Sequence, residues 1–192
     1  MSIEVSRSPP HVKASTVQQR LTFVDQCFGK EAHERYLGAV SPQLVRVFEG
    51  SPKSWVEFGH FVEATVLIDQ IFGKGDLTMC WEVGRFASQF AVSAWKQFVM
   101  RRIRPTTIVS LASSAWSQYY DAGRIVSSPA GPSALRLEIA GFPQPHRAHC
   151  LSIGGWVDGS IAAAPGRQVH VQELSCRAIG DAQCVFLARW RD

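Results

Sequence analysis

The period of the apolar residues changes once along this chain, and that change limits what it can fold into. From Ser15 to about Ser117 they recur at helical spacing, and beyond Trp116 they mostly alternate. Thr16-Val-Gln-Gln-Arg-Leu-Thr-Phe-Val runs towards Gly29, which suits a helix C-cap. Ser41-Pro42 pairs an N-cap with a first-turn proline for a short helix ending near Gly50. Another helix is expected from Ser54, carrying Trp55, Phe58, Val62, Thr65, Val66 and Ile68 towards Gly73. The longest is expected after Asp76, with Cys80, Val83, Phe86, Phe90, Ala94, Trp95 and Phe98 on one stripe. It should end at Arg101-Arg102-Ile103-Arg104-Pro105, where cations favour a helix C-terminus and proline stops it.

Ser133 to Ala140 then alternates cleanly, with Leu135, Leu137 and Ile139 on one face and Arg136 and Glu138 on the other. Val169–Cys176 and Cys184–Trp190 read as strands too, and Tyr119–Val126 as a weaker one. Between them Ala148–Ala163 reads as a helix with glycines at 154, 155 and 159. The expected fold class is α+β: N-terminal helices, then a small antiparallel sheet interrupted by a Gly-rich helix. Residues 1–14, with Pro9-Pro10, are expected to be a flexible tail, and 15–192 a single domain.

Composition narrows the function classes. A net charge of +4 with no face saturated in Lys and Arg gives no reason to expect nucleic acid. The first 14 residues lack the apolar core of a secretory signal, and no run of about 18 apolar residues suggests a membrane span. The expected compartment is the cytoplasm, where thiols stay reduced. Of the five cysteines, Cys27 and Cys80 fall in helical patterns as small buried hydrophobes.

The other three carry chemistry. In "ELSCRAIGDAQC", a three-residue loop at Ile179-Gly180-Asp181 would set Cys176 opposite Cys184, with Cβ atoms about 4.5–5.5 Å apart. A disulfide needs roughly 3.5–4.5 Å, whereas a zinc ion with Zn–S near 2.3 Å separates its sulfurs by about 3.8 Å. Two thiolates are too few, and Cys150, at the start of the Gly-rich helix, is the natural third. Glu173, His170 and His149 rank alike as a fourth donor. Glu173 would need a β-bulge, because three residues from Cys176 is the opposite face of a regular strand.

Cys150-x4-Gly155-Trp156-x2-Gly159, then Glu173-x2-Cys176 and Gly180-Asp181-x2-Cys184, resembles the 4-vinyl reductase domain, particularly as found in aromatic-effector sensors. The resemblance covers about residues 150–190, with Trp156 where that family has tyrosine. It implies a structural zinc held by Cys150, Glu173, Cys176 and Cys184, and an effector pocket between helices and sheet. It also implies kinship with the small subunits of the TRAPP tethering complex.

Four protein ligands would leave zinc no open position, and no nucleophile–base pair, Walker, Rossmann or HExxH pattern is present, so no enzyme is expected. Tyr120-x3-Arg124 resembles the haem-nitric-oxide-binding signature Tyr-x-Ser-x-Arg, but Ala122 replaces the serine. No histidine lies between His60 and His146 to serve as proximal ligand. Six tryptophans and eleven phenylalanines suit a pocket for an apolar or aromatic small molecule, with Trp81, Phe86, Phe90, Trp95, Trp116, Tyr119 and Trp156 as candidates. The expected function is a cytoplasmic sensing domain that signals through a protein partner or homodimer. The alternative is a TRAPP-like assembly protein with no regulatory ligand.

Overall fold

The computed structural model describes residues 9–89, 107, 114, 116–163 and 168–191. The segment expected to be a tail is partly structured. Strand β1 (His11–Lys13) pairs antiparallel with β2 (Trp55–Glu57), Val12 against Val56. Val12 is fully buried, and Lys13 lays its ammonium 3.9 Å over the Trp55 ring. Burial of one side chain and a cation–π contact therefore hold a stretch that its prolines had suggested was loose. The pairing also explains why helix α4 (Phe58–Phe72) starts four residues later than Ser54.

Helix α1 (Ala14–Phe28) ends at Gly29, as its sequence implies, but Cys27 in its last turn is exposed, not buried as its helical pattern suggested. Helix α2 (Lys30–Leu37) had no apolar periodicity to announce it; its one buried residue, Tyr36, anchors it by donating to the Ala64 carbonyl at 2.7 Å. Helix α3 (Pro42–Glu49) has the expected cap, the Ser41 hydroxyl accepting from the Leu44 N–H at 3.2 Å. Helix α5 (Met79–Ser88) covers the first part of the expected long helix, whose continuation through Phe90 and Trp95 lies outside the described residues. Buried Asp69 accepts from the backbone N–H groups of Leu77 (2.8 Å) and Met79 (3.0 Å), holding Leu77 at φ 68° just before α5.

Strands β3 (Arg124–Gly131), β4 (Ala134–Ala140), β5 (Gln168–Ser175) and β6 (Cys184–Arg191) form one antiparallel sheet in the order β3-β4-β6-β5. Leu135, Leu137 and Ile139 all point into the core, as the alternation requires. The strand expected over Tyr119–Val126 begins only at Arg124, and residues 116–119 are helical. The class is therefore α+β.

Helix α6 (Arg147–Ala162) is the Gly-rich helix, and its glycine face meets α5 more than it meets the sheet. A Cβ on Gly155 would lie 1.9 Å from the Trp81 carbonyl oxygen, and one on Gly84 2.0 Å from that of Ser152. One on Gly159 would meet the Ser88 hydroxyl at 2.3 Å. The two backbones touch at Gly84 and Gly155 because no Cβ intervenes there, while Gly154 and Gly159 make room for the Trp81 ring and the Ser88 hydroxyl. Gly84→Ala should accordingly destabilise by at least about 1–3 kcal/mol, the cost of overpacking. Gly59→Ala, where nothing lies within 4 Å, should be neutral or stabilise by about 0.4–1 kcal/mol. Urea denaturation of both variants checks the contrast, and equal midpoints would contradict the seam.

Candidate functional site

Two places gather chemistry. The first joins the start of α6 to the connection between β5 and β6. Cys150, Cys176 and Cys184 are all buried, and their sulfurs lie within 4.8 Å of one another. They are the one group among the described residues whose donor atoms converge closely enough for a metal ion. The Cys150 and Cys184 sulfurs are 3.5 Å apart, and the Arg177 N–H donates to the Cys184 sulfur at 3.3 Å. Donation from Cys150 is the main reason the Cys184 thiol is lowered, while Cys150, the donor, is raised.

The tight three-residue hairpin loop is replaced by a 3-10 turn at Arg177–Ile179, closed by Gly180 at φ 102°, with the Asp181 carboxylate accepting from the Cys176 N–H at 2.7 Å. The bulge that Glu173 required is present between Glu173 and Ser175. It delivers the carboxylate to Arg147, which pairs with it; the other carboxylate oxygen is buried without a partner. His170 is exposed on β5. His149 turns away into a cage of rings, Phe142 at 5.0 Å, Phe58 at 5.1 Å, Tyr120 at 5.3 Å and Phe61 at 5.5 Å. Its Nε2 has no hydrogen-bond partner, and burial lowers its pKa to about 3.

The second place is a cleft of about 80 Å³ between the helices and the sheet. Trp116, Tyr119 and Trp156, three of the expected pocket residues, line it. Tyr120, which stacks on Trp116 at 4.2 Å, and Ile125 and Ile153 add apolar wall. Thr16, Gln19, Arg20, Ala87 and Ser152 complete it. Trp81 is elsewhere, over Gly154 and Gly155 with its indole N–H towards Asp158 (3.4 Å), and Phe86 packs edge-on against Phe23 at 5.2 Å. Phe90 and Trp95 lie outside the described residues. The notable residue missed from sequence is Arg20, only 3% exposed. Its signal was there: it falls between Val17 and Val24 on the buried stripe of α1.

No protein-family model matches the chain, and no curated protein matches it in sequence. Solved structures do match. An H-NOX protein from S. oneidensis in its Fe(II)NO state superposes with a TM-score of 0.73 at 13% identity, covering 94% of this chain and 99% of that one. An oxygen-binding H-NOX domain related to soluble guanylate cyclases gives 0.65 at 12% identity, covering 94% and 95%. A third, from work on haem distortion in the H-NOX family, gives 0.69 at 12%, again covering 94% and 95%.

The chain has the H-NOX fold. This overturns the resemblance to the 4-vinyl reductase domain and the TRAPP subunits, which rested on spacings within about 40 residues, whereas the H-NOX match spans almost the whole chain. The structural zinc implied by that resemblance falls with it, since two structures of like architecture are described with haem. The three thiols meet, but nothing in these likenesses supports zinc among them.

The H-NOX fold raises haem instead, and the described residues do not fit it. The cleft's 80 Å³ is well below the roughly 300–1,000 Å³ of drug-sized sites. Tyr120, the buried phenol there, is raised to about 12 by burial and stacks on Trp116. His149 is the one fully buried histidine of six, and the space beside its ring and Cys150 has no measurable volume. Among the described residues no helix is long and apolar enough to cross a membrane.

His149 gives a pH prediction. Its folded-state pKa is depressed below the unfolded value near 6.5, so the unfolded chain binds the extra proton first. Its neutral form therefore contributes stability that is complete above about pH 6.5 and is lost as pH falls towards 3, with a slope of up to about 1.4 kcal/mol per unit. Chemical denaturation at pH 7, 5.5 and 4.5 should show this slope, and His149→Phe should flatten it. An unchanged slope in that variant would assign acid sensitivity to other groups.

Proposed function

We propose that this chain is a non-enzymatic sensing domain on the H-NOX fold, taking an apolar or aromatic small molecule in the Trp116–Trp156 cleft. It passes the signal to a protein partner or a second copy of itself. The carrying observation is where the cleft's walls come from. Thr16 and Arg20 belong to α1, Ala87 to α5, Ile125 to β3 and Trp156 to α6, so a ligand there touches both the helical half and the sheet half. A ligand that prefers one arrangement of those elements shifts the population towards it. Support from likeness comes from H-NOX structures described with bound oxygen or NO, and from one concerned with H-NOX activation. In this reading the thiols of Cys150, Cys176 and Cys184, with Glu173 through Arg147, fasten α6 to the β5–β6 connection, so that movement of α6 reaches the sheet edge.

Trp116 and Trp156 report occupancy directly. Titrating a panel of small aromatics should give saturable changes in tryptophan fluorescence, lost by at least tenfold in affinity in Trp156→Ala. Trp55→Phe, at an exposed tryptophan outside the cleft, should bind as the parent does. A panel with no saturable response in the parent protein would sink the proposal.

A further inference from the structure

A buried guanidinium with no acid to meet it lines the cleft. The Arg20 Nε donates to the Thr65 hydroxyl (3.2 Å), one terminal nitrogen to the Thr16 carbonyl, and the other to the Ser152 hydroxyl (2.9 Å). All three acceptors are neutral. Its guanidinium also lies 4.0 Å over the Phe61 ring, which is again not an anion. Five N–H groups less three used leaves one on each terminal nitrogen. No aspartate or glutamate lines the cleft, and no carboxylate pairs with Arg20 among the described residues. Burial lowers its pKa only to about 10, so the side chain is still a cation at neutral pH.

Buried charges are ordinarily paired, because a lone one loses its hydration without electrostatic return. Here the acceptors fix the guanidinium in place without neutralising it, and the fork shape of arginine is matched by a carboxylate. Around it, Ile125, Ile153, Trp116 and Trp156 offer apolar and aromatic wall. We propose that the cleft binds a small apolar monocarboxylate, its carboxylate on the free N–H pair of Arg20 and its hydrocarbon or aromatic part against the tryptophans. The cleft's size limits the ligand to a short acyl chain or a single ring that reaches towards the mouth. This rests on the sensing role proposed above for the same cleft and supplies its ligand class.

The test needs no variant at first. Butyrate and benzoate, each beside its neutral amide, are titrated into the full chain by heteronuclear NMR of the tryptophan indoles and by calorimetry, with inorganic phosphate as competitor. Each acid should bind saturably at least tenfold tighter than its amide, and phosphate should not displace it. Arg20→Lys, which keeps the charge but loses the fork, should weaken the acids at least tenfold and leave the amides unchanged. Arg20→Met should abolish the difference between acid and amide; if it does not fold, the parent series and Arg20→Lys still decide. Equal binding of acid and amide would remove the anion site and leave the sensing cleft standing. Displacement by phosphate would overturn the monocarboxylate assignment. No binding of any acid from formate to benzoate below about 10 mM, with no binding of the amides, would remove both readings.

Discussion

The contact of two helix backbones along the α5–α6 seam is the constraint from which most of this molecule follows. Gly84 and Gly155 leave no Cβ between the helices, so peptide groups themselves set their separation there, and Gly154 and Gly159 admit the Trp81 ring and the Ser88 hydroxyl. That one choice fixes three positions on α6 at once. Cys150 is delivered to the turn after β5, His149 to the aromatic cage, and Ser152, Ile153 and Trp156 to the cleft. Ala87 on the facing helix lines the same cleft, so the seam borders it. A shift of α6 changes the cleft and the thiol cluster together.

Buried polar groups here are handled in unlike ways, and the contrast is informative. Asp69 has two backbone N–H donors and serves a turn that requires φ 68° at Leu77. Glu173 is matched on one oxygen by Arg147. The Cys184 sulfur accepts from a thiol and a backbone N–H. Each of these groups has a donor committed to it. Arg20 is the exception: neutral acceptors fix its direction and nothing cancels its charge. A structural arginine would be expected to end on a carboxylate, whereas a binding arginine must keep part of its fork free.

Much of the architecture was legible in the residues. The switch from a period near 3.6 to a period of two located the helices and the sheet, and the Ser41-Pro42 and Gly29 signals marked real helix ends. What escaped was decided by tertiary partners. β1 exists because Val12 and Lys13 find β2 some forty-four residues away, and α2 because Tyr36 reaches Ala64. Both are held by long-range contacts that leave no periodic trace. The convergence of three cysteines could be read from spacing, since hairpin register and helix starts are local. Arg20 was passed over because a cation on an apolar stripe reads as a blemish until the opposite wall is known.

The same distinction explains how the motif misled. Cys150, Cys176 and Cys184 test only the joint between one helix and one strand pair, and unlike folds can build that joint in the same way. The order and packing of all the elements is a far more demanding criterion, and by that criterion the neighbours are H-NOX domains. Yet fold carries scaffold before chemistry. Here the described residues leave a cleft of about 80 Å³ and place in its wall a buried guanidinium that meets only neutral acceptors. A haem site supplies an axial ligand to iron, whereas this cleft offers a cation and an aromatic wall. Those features suit the small anion with an apolar body proposed above, so one scaffold can offer different chemistry to different ligands.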